Sequence, residues 1–167
     1  LWFVAIMAIM LTTALARRDE QDGHVEVVLG AGAGRWVPFA SATAWALGAM
    51  ALTGTGLAVS LIGVDAVVGE TPLRGALVFG GVAIAQGWAC AGIALVASQL
   101  VRDTSAARGL CFTVLGAAVT VRILADETGA AWLRWLSPLA WRDVAEPFGA
   151  ERVWVLAVFA LVVAALV

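Results

Sequence analysis

The chain has 167 residues, 62% of them hydrophobic and 13% charged, with a formal net charge of -2. Soluble domains carry about 45–50% apolar and about 25% charged residues, so the composition excludes an ordinary soluble domain, and the acidic balance excludes a chain built to grip nucleic acid. Ten Arg and no Lys stand against twelve acidic residues. Without Lys there is no phosphate-gripping loop of the GxxxxGK[ST] form, so any ATP hydrolysis must take place on a partner.

Apolar residues run in five blocks, 1–16, 37–63, 75–101, 107–125 and 153–167. A helix needs about 20 such residues to cross roughly 30 Å of hydrocarbon. The expected fold is therefore all-α, a polytopic protein of the cell membrane, with residues 1–167 forming one transmembrane domain. The first block opens at Leu1 in mid-run and the last stops at Val167 in mid-run, which reads as a piece of a longer chain. No basic residue precedes block 1–16 and no small-residue cleavage site follows it, which argues against a removable signal peptide.

The polar loop 17–36 follows. Arg17 and Arg18 close the first block, then Asp19, Glu20, Asp22 and Glu26 lead into Val25, Val28 and Leu29 at helical spacing before Gly30. This pattern predicts a short amphipathic helix along the membrane surface, offering charges and a small apolar face to a cytoplasmic partner. Gly30, Gly32 and Gly34 follow GxGxG and lead into an apolar block, not the GxGxxG of a dinucleotide-binding βαβ unit. His24 is the single histidine, too few ligands for zinc and too isolated for a nucleophilic triad.

Block 75–101 carries Ala83, Gly87 and Ala91 at four-residue spacing, a face that lets helix backbones approach closely, and Gln86, whose amide needs a partner in a neighbouring helix or a cavity. Cys90 and Cys111 both lie in apolar blocks and read as small buried hydrophobes rather than a disulfide or metal pair. Arg122 lies inside block 107–125, one turn before Asp126. It reads either as an i, i+4 ion pair near the end of the block or as part of a polar gate. The loop 126–152 and its border hold Trp132, Trp135, Trp141 and Trp154, with Pro138 and Pro147 breaking it into pieces too short to span. Short interfacial or re-entrant helices are expected there, under an aromatic belt. Setting loops 17–36 and 102–106 inside the cell gives Arg17, Arg18, Arg35, Arg102 and Arg108 inside, against Arg74, Arg134, Arg142 and Arg152 outside.

The segment RRDEQDGHVEVVLGAGAGRW resembles the intracellular coupling loop of type 2 ABC exporter permeases. WLRWLSPLAWRDVAEPFGAERVWVL resembles the loop before the last helix in the polyketide-antibiotic exporter permeases of actinobacteria, through Trp135, Ser137, Pro138, Trp141, Pro147, Phe148, Glu151, Arg152 and Trp154. The resemblance implies helices two to six of a six-helix permease half, with a coupling helix between its second and third helices and re-entrant helices between its fifth and sixth. It implies that Arg18, Glu20, Glu26, Val28 and Leu29 contact an ABC ATPase dimer, which would carry the ATP and Mg, while this chain binds no cofactor and no metal. A second permease half in the same chain or another copy, a hydrophobic antibiotic or drug as cargo, and membrane lipid complete the partners. Thr53 and Thr55 would lie on the cargo path, Gln86 and Arg122 are polar or gate candidates, and Trp135, Pro138, Trp141 and Phe148 mark an extracellular loop.

Two other classes remain open on sequence. A proton- or sodium-driven transporter would place carboxylates at mid-membrane, and none of the twelve lies inside a block. A structural subunit of a membrane complex needs neither cavity nor ATPase.

Overall fold

The computed structural model describes residues 1–21, 36–69, 72–101 and 103–166. Among these there is no strand. The elements are α1 (Trp2–Gln21), α2 (Val37–Val68), α3 (Leu73–Leu100), α4 (Thr104–Thr128), α5 (Leu133–Leu136), a 3-10 turn (Pro138–Ala140), α6 (Trp141–Ala145) and α7 (Trp154–Leu166). Three helices are long and apolar enough to cross a membrane, within Phe39–Val68, Leu73–Leu100 and Thr104–Thr128; Trp2–Ala16 and Trp154–Ala164 are shorter apolar helices.

The helices extend beyond the apolar blocks. Arg17, Arg18 and Glu20 belong to the last turns of α1 rather than to a loop, and α4 continues through Asp126 to Thr128. Terminators explain where two of the continuations stop. Gly69 takes φ 71° after α2 and Gly129 φ 67° after α4, left-handed conformations that end a helix at little cost when there is no Cβ. At the other end of α4, the Asp103 carboxylate accepts a 2.9 Å bond from the Ala106 N–H, filling one of the donors that a first helical turn leaves open.

Helix α3 is the hub, packing against α1, α2, α4 and α7. Its contact with α2 depends on small residues. A Cβ added at Gly80 would lie 2.7 Å from the Gly54 carbonyl oxygen and 2.7 Å from the Ala58 Cβ, and one at Gly87 would lie 3.0 Å from Met50. Gly54 meets Ile84 and the Gly80 carbonyl in the same way. Ala83, Gly87 and Ala91 are all buried, as the four-residue spacing predicts.

Many hydroxyls are satisfied locally, though those of Thr12, Ser98 and Thr104 have no partner among the described residues. Thr43, Thr53, Thr55, Ser60, Thr113, Thr120 and Thr128 each donate to the carbonyl four residues back, which lets a polar side chain sit on an apolar helix without an outside partner.

Two outcomes test this packing. Gly80→Ala should lower stability by about 1–3 kcal/mol through overpacking against backbone, read as a lower Tm in detergent, while Gly48→Ala, where a Cβ meets nothing within 4 Å, should not. The second concerns pH. The Ala106 N–H, and after it the Ser105 hydroxyl, hold the Asp103 carboxyl below the ordinary carboxylate range. A lowered folded value stabilises above the unfolded one and is lost as pH falls through the folded one. The Tm gap between wild type and Asp103→Ala should thus be largest near neutrality and shrink as pH drops through the carboxylate range.

Candidate functional site

Between α4 and α7 the chain forms a broken hairpin: α5, the 3-10 turn begun by Pro138, and α6. Pro138 cannot donate a backbone hydrogen bond, and its fixed φ suits the first position of a turn. The hairpin ends at Glu146, which caps α6 in a left-handed conformation, φ 46°, with its N–H on the Arg142 carbonyl. Leu139, Ala140, Trp141, Val144 and Ala145 are buried, so the hairpin is packed into the bundle rather than draped over it.

Four polar ties hold it. The Arg122 guanidinium donates to the Leu139 carbonyl at 3.0 Å and forms an ion pair with Asp143 at 2.8 Å. The Ser137 hydroxyl donates to the Ala118 carbonyl at 2.8 Å, and the Trp141 indole N–H donates to the Trp135 carbonyl at 3.0 Å. The pair with Asp126, expected from i, i+4 spacing, is stretched to 4.0 Å, and Asp126 instead takes Arg134 at 3.1 Å. Ring contacts complete the seat: Trp141 stacks on Phe159 of α7 at 4.2 Å, and Trp135 lies 5.9 Å from both Trp154 and Phe159.

The segment after the hairpin docks on the start of α3. A Cβ at Gly75 would come 2.5 Å from the Pro147 carbonyl, so only glycine allows that approach. Phe148, itself more than half exposed, lies 5.9 Å from Phe79. Arg74 reaches Glu151 at 3.5 Å, and Arg152 pairs with Glu146 at 3.0 Å.

Under the hairpin lies a cavity of about 490 Å³ bounded by α1, α3, α4, the hairpin and α7. Its inner wall includes Ala89, Cys90, Cys111, Leu139 and Trp141, all buried, and its walls are almost wholly apolar. Of the residues singled out by sequence, Trp135, Pro138 and Trp141 line it. Arg122 braces its roof through Leu139. Gln86 is fully buried on α3 and donates to the Leu1 carbonyl at 3.1 Å, while its Oε1 has no partner among the described residues. Thr53 and Thr55 lie on α2 and do not line the cavity. Arg18 and Glu20 lie on the last turns of α1, and nothing is described of their side chains; Glu26, Val28 and Leu29, with the expected coupling helix, lie outside the described residues.

Several participants were not singled out by sequence: Asp143, the roles of Cys90 and Cys111 as cavity wall, and Phe159. Asp143 sits next to Arg142 in the Trp141 motif, but its pairing with Arg122 across α5 and the turn has no sequence period to announce it. Among the described residues no group of three or more His, Cys, Asp or Glu could hold a metal ion.

The fold and this site define a class: an all-helical protein with helices suited to a membrane, a broken hairpin packed into the bundle, and an apolar cavity beneath it. Comparison with known protein families and with curated proteins finds no match.

Arg122 and Asp143 are each about three-quarters buried as side chains; removing Asp143 leaves Arg122 the Leu139 carbonyl and a 4.0 Å approach to Asp126, and removing Arg122 leaves Asp143 a 3.4 Å contact with the more exposed Arg142. Arg122→Ala or Asp143→Ala should each cost about 1–3 kcal/mol, the scale for losing a hydrogen bond to a charged group. The double variant should cost less than the sum, and additive losses in a double-mutant cycle would show that the pair does not hold the hairpin.

Proposed function

We propose that this chain is a membrane-spanning permease half of an ATP-driven exporter of hydrophobic compounds, working with a separate ABC ATPase dimer. The observation that carries the reading is the broken hairpin, whose residues 133–145 include the Trp-x-Ser-Pro-x-x-Trp pattern that resembles the loop before the last helix of polyketide-antibiotic exporter permeases. An apolar cavity under that hairpin supports a hydrophobic cargo. In this reading all five apolar helices cross the membrane. Loop 17–36 faces the cytoplasm with its coupling helix, and the hairpin faces the outside.

The long faces of α2 and α4 that the described bundle leaves exposed suit a second permease half. Coupling falls on Arg18, Glu20, Glu26, Val28 and Leu29, set in a cleft of the ATPase. ATP binding by the partner shifts the two halves between inward-open and outward-open states, since a ligand moves such an equilibrium by its differential affinity for the two. The gradient-driven alternative gains nothing from the carboxylates: among the described residues, those within the long helices are Asp65, Asp126 and Glu127, all in a last turn.

The test is co-expression of the full-length protein with its neighbouring ATPase. A stoichiometric ATPase should co-purify, and Glu26→Ala with Leu29→Ala should abolish cargo-stimulated ATP hydrolysis while leaving membrane insertion intact. Unchanged stimulation would sink the coupling assignment, and the absence of any bound ATPase would favour a structural subunit instead.

A further inference from the structure

We infer that the cavity beneath the hairpin is a binding site for a neutral, ring-bearing apolar molecule of about drug size, taken up sideways from the hydrocarbon of the bilayer. The inference goes beyond the exporter reading and stands without it. The first argument is size. At about 490 Å³ the space falls within the roughly 300–1,000 Å³ of small-molecule pockets, far above the voids that native packing leaves.

The second argument is the mouth. Val114 on α4, Leu136 at the end of α5 and Val162 on α7 line the cavity and are also exposed. The packing partners of α4 are α1, α3 and the hairpin, and those of α7 are α3, α6 and, through Trp135, α5, with little contact between α4 and α7 themselves. The gap between them therefore opens past apolar side chains on apolar helices. In a membrane such an opening meets lipid tails rather than water.

The third argument concerns what the walls can hold. Polar atoms of the lining residues are already engaged: the Trp141 indole with the Trp135 carbonyl, the Leu139 carbonyl with Arg122, and the Ala118 carbonyl with Ser137. A ligand that buried a hydrogen-bonding group there would lose its partner and a few kcal/mol with it, which selects against polar cargo. Among the lining groups the Trp135 and Pro138 rings are half-buried, and the Trp141 indole and the Cys90 and Cys111 sulfurs back the wall as buried groups. Aromatic faces and sulfur favour rings over a flexible saturated chain, which also loses more conformational freedom on being confined.

The test uses the full-length protein in lipid nanodiscs and pyrene, a neutral four-ring hydrocarbon with no polar atom, read by energy transfer from tryptophan. Expected is a saturable component at one pyrene per chain above the linear background of pyrene dissolved in lipid. Val114→Phe and Ala117→Phe fill the cavity from exposed positions, where the fold does not depend on the smaller side chain. Each should weaken the saturable component at least fivefold, whereas Val59→Phe, exposed on α2 and outside the cavity, should leave it unchanged. Linear partition alone, or equal loss in all three variants, overturns the site. Displacement by palmitoleic acid at concentrations matching pyrene overturns the preference for rings and makes it an acyl-chain site. Saturable binding in a protein that brings down no ATPase keeps the inference and removes the exporter reading; a coupled ATPase with no saturable binding does the reverse.

Discussion

The Arg122 guanidinium is where the upper part of the bundle is joined. One side chain on α4 reaches both a backbone carbonyl and a carboxylate of the hairpin, Leu139 and Asp143. About three-quarters buried as side chains, those groups have little water to fall back on, and an unmatched charge costs far more than an unmatched methyl. The hairpin could not form ordinary helix through Pro138, so several of its backbone groups need partners from outside. Arg122 serves one of them, the Leu139 carbonyl, and the Ser137 hydroxyl ties the hairpin back to the Ala118 carbonyl of α4. Once the hairpin is seated, Trp135 and Trp141 reach Phe159 and fix α7, and the cavity gains a roof. The charge that looks most out of place in the sequence is thus the one that lets irregular backbone lie inside the bundle.

The lower part is held differently. Between α2 and α3 there is little hydrogen bonding; a bond from the Trp88 indole to the Leu47 carbonyl at 2.8 Å is the exception shown. What brings these helices together is the absence of side chains at Gly54, Gly80 and Gly87. Lipid tails are as apolar as leucine, so burial alone gives no drive for two such helices to associate; close backbone packing does. The contrast has an order to it. Packing by small residues sets the scaffold of α2 and α3, and polar ties add the hairpin to it.

How much of this the sequence made legible follows from the same division. Periodicity and span length are local properties, so the all-helical reading, the long apolar helices and the buried face of Ala83, Gly87 and Ala91 could all be read from residues near one another. The boundaries were less legible, because helix continues past the hydrophobic edge until a glycine stops it, as Gly69 and Gly129 do. Pro138 and Pro147 announced short pieces. Their destination was not announced: nothing in the spacing of Arg122 and Asp143 says they meet, and the nearer Asp126 was the natural partner on helical geometry. Cys90 and Cys111 were rightly read as buried, yet their shared cavity depends on how α3 and α4 are set side by side, which no single-helix pattern encodes.

Helix α4 draws these features together. At its start the Arg108 side chain donates to the Thr13 hydroxyl of α1 at 3.2 Å, and near its end Arg122 grips the hairpin. Along the middle, one side of the helix borders the cavity through Cys111, Val114, Ala118 and Val121, and few of its residues are buried. A helix lining empty space has no partner atoms there and forgoes the dispersion contacts that a filled core would supply. It is therefore fixed at its ends by polar contacts and loosely supported between them, unlike α3, which is packed on nearly every side. Filling that space with an apolar molecule would replace the missing contacts and stiffen the same helix, so occupancy of the cavity and the position of the hairpin are physically linked through α4.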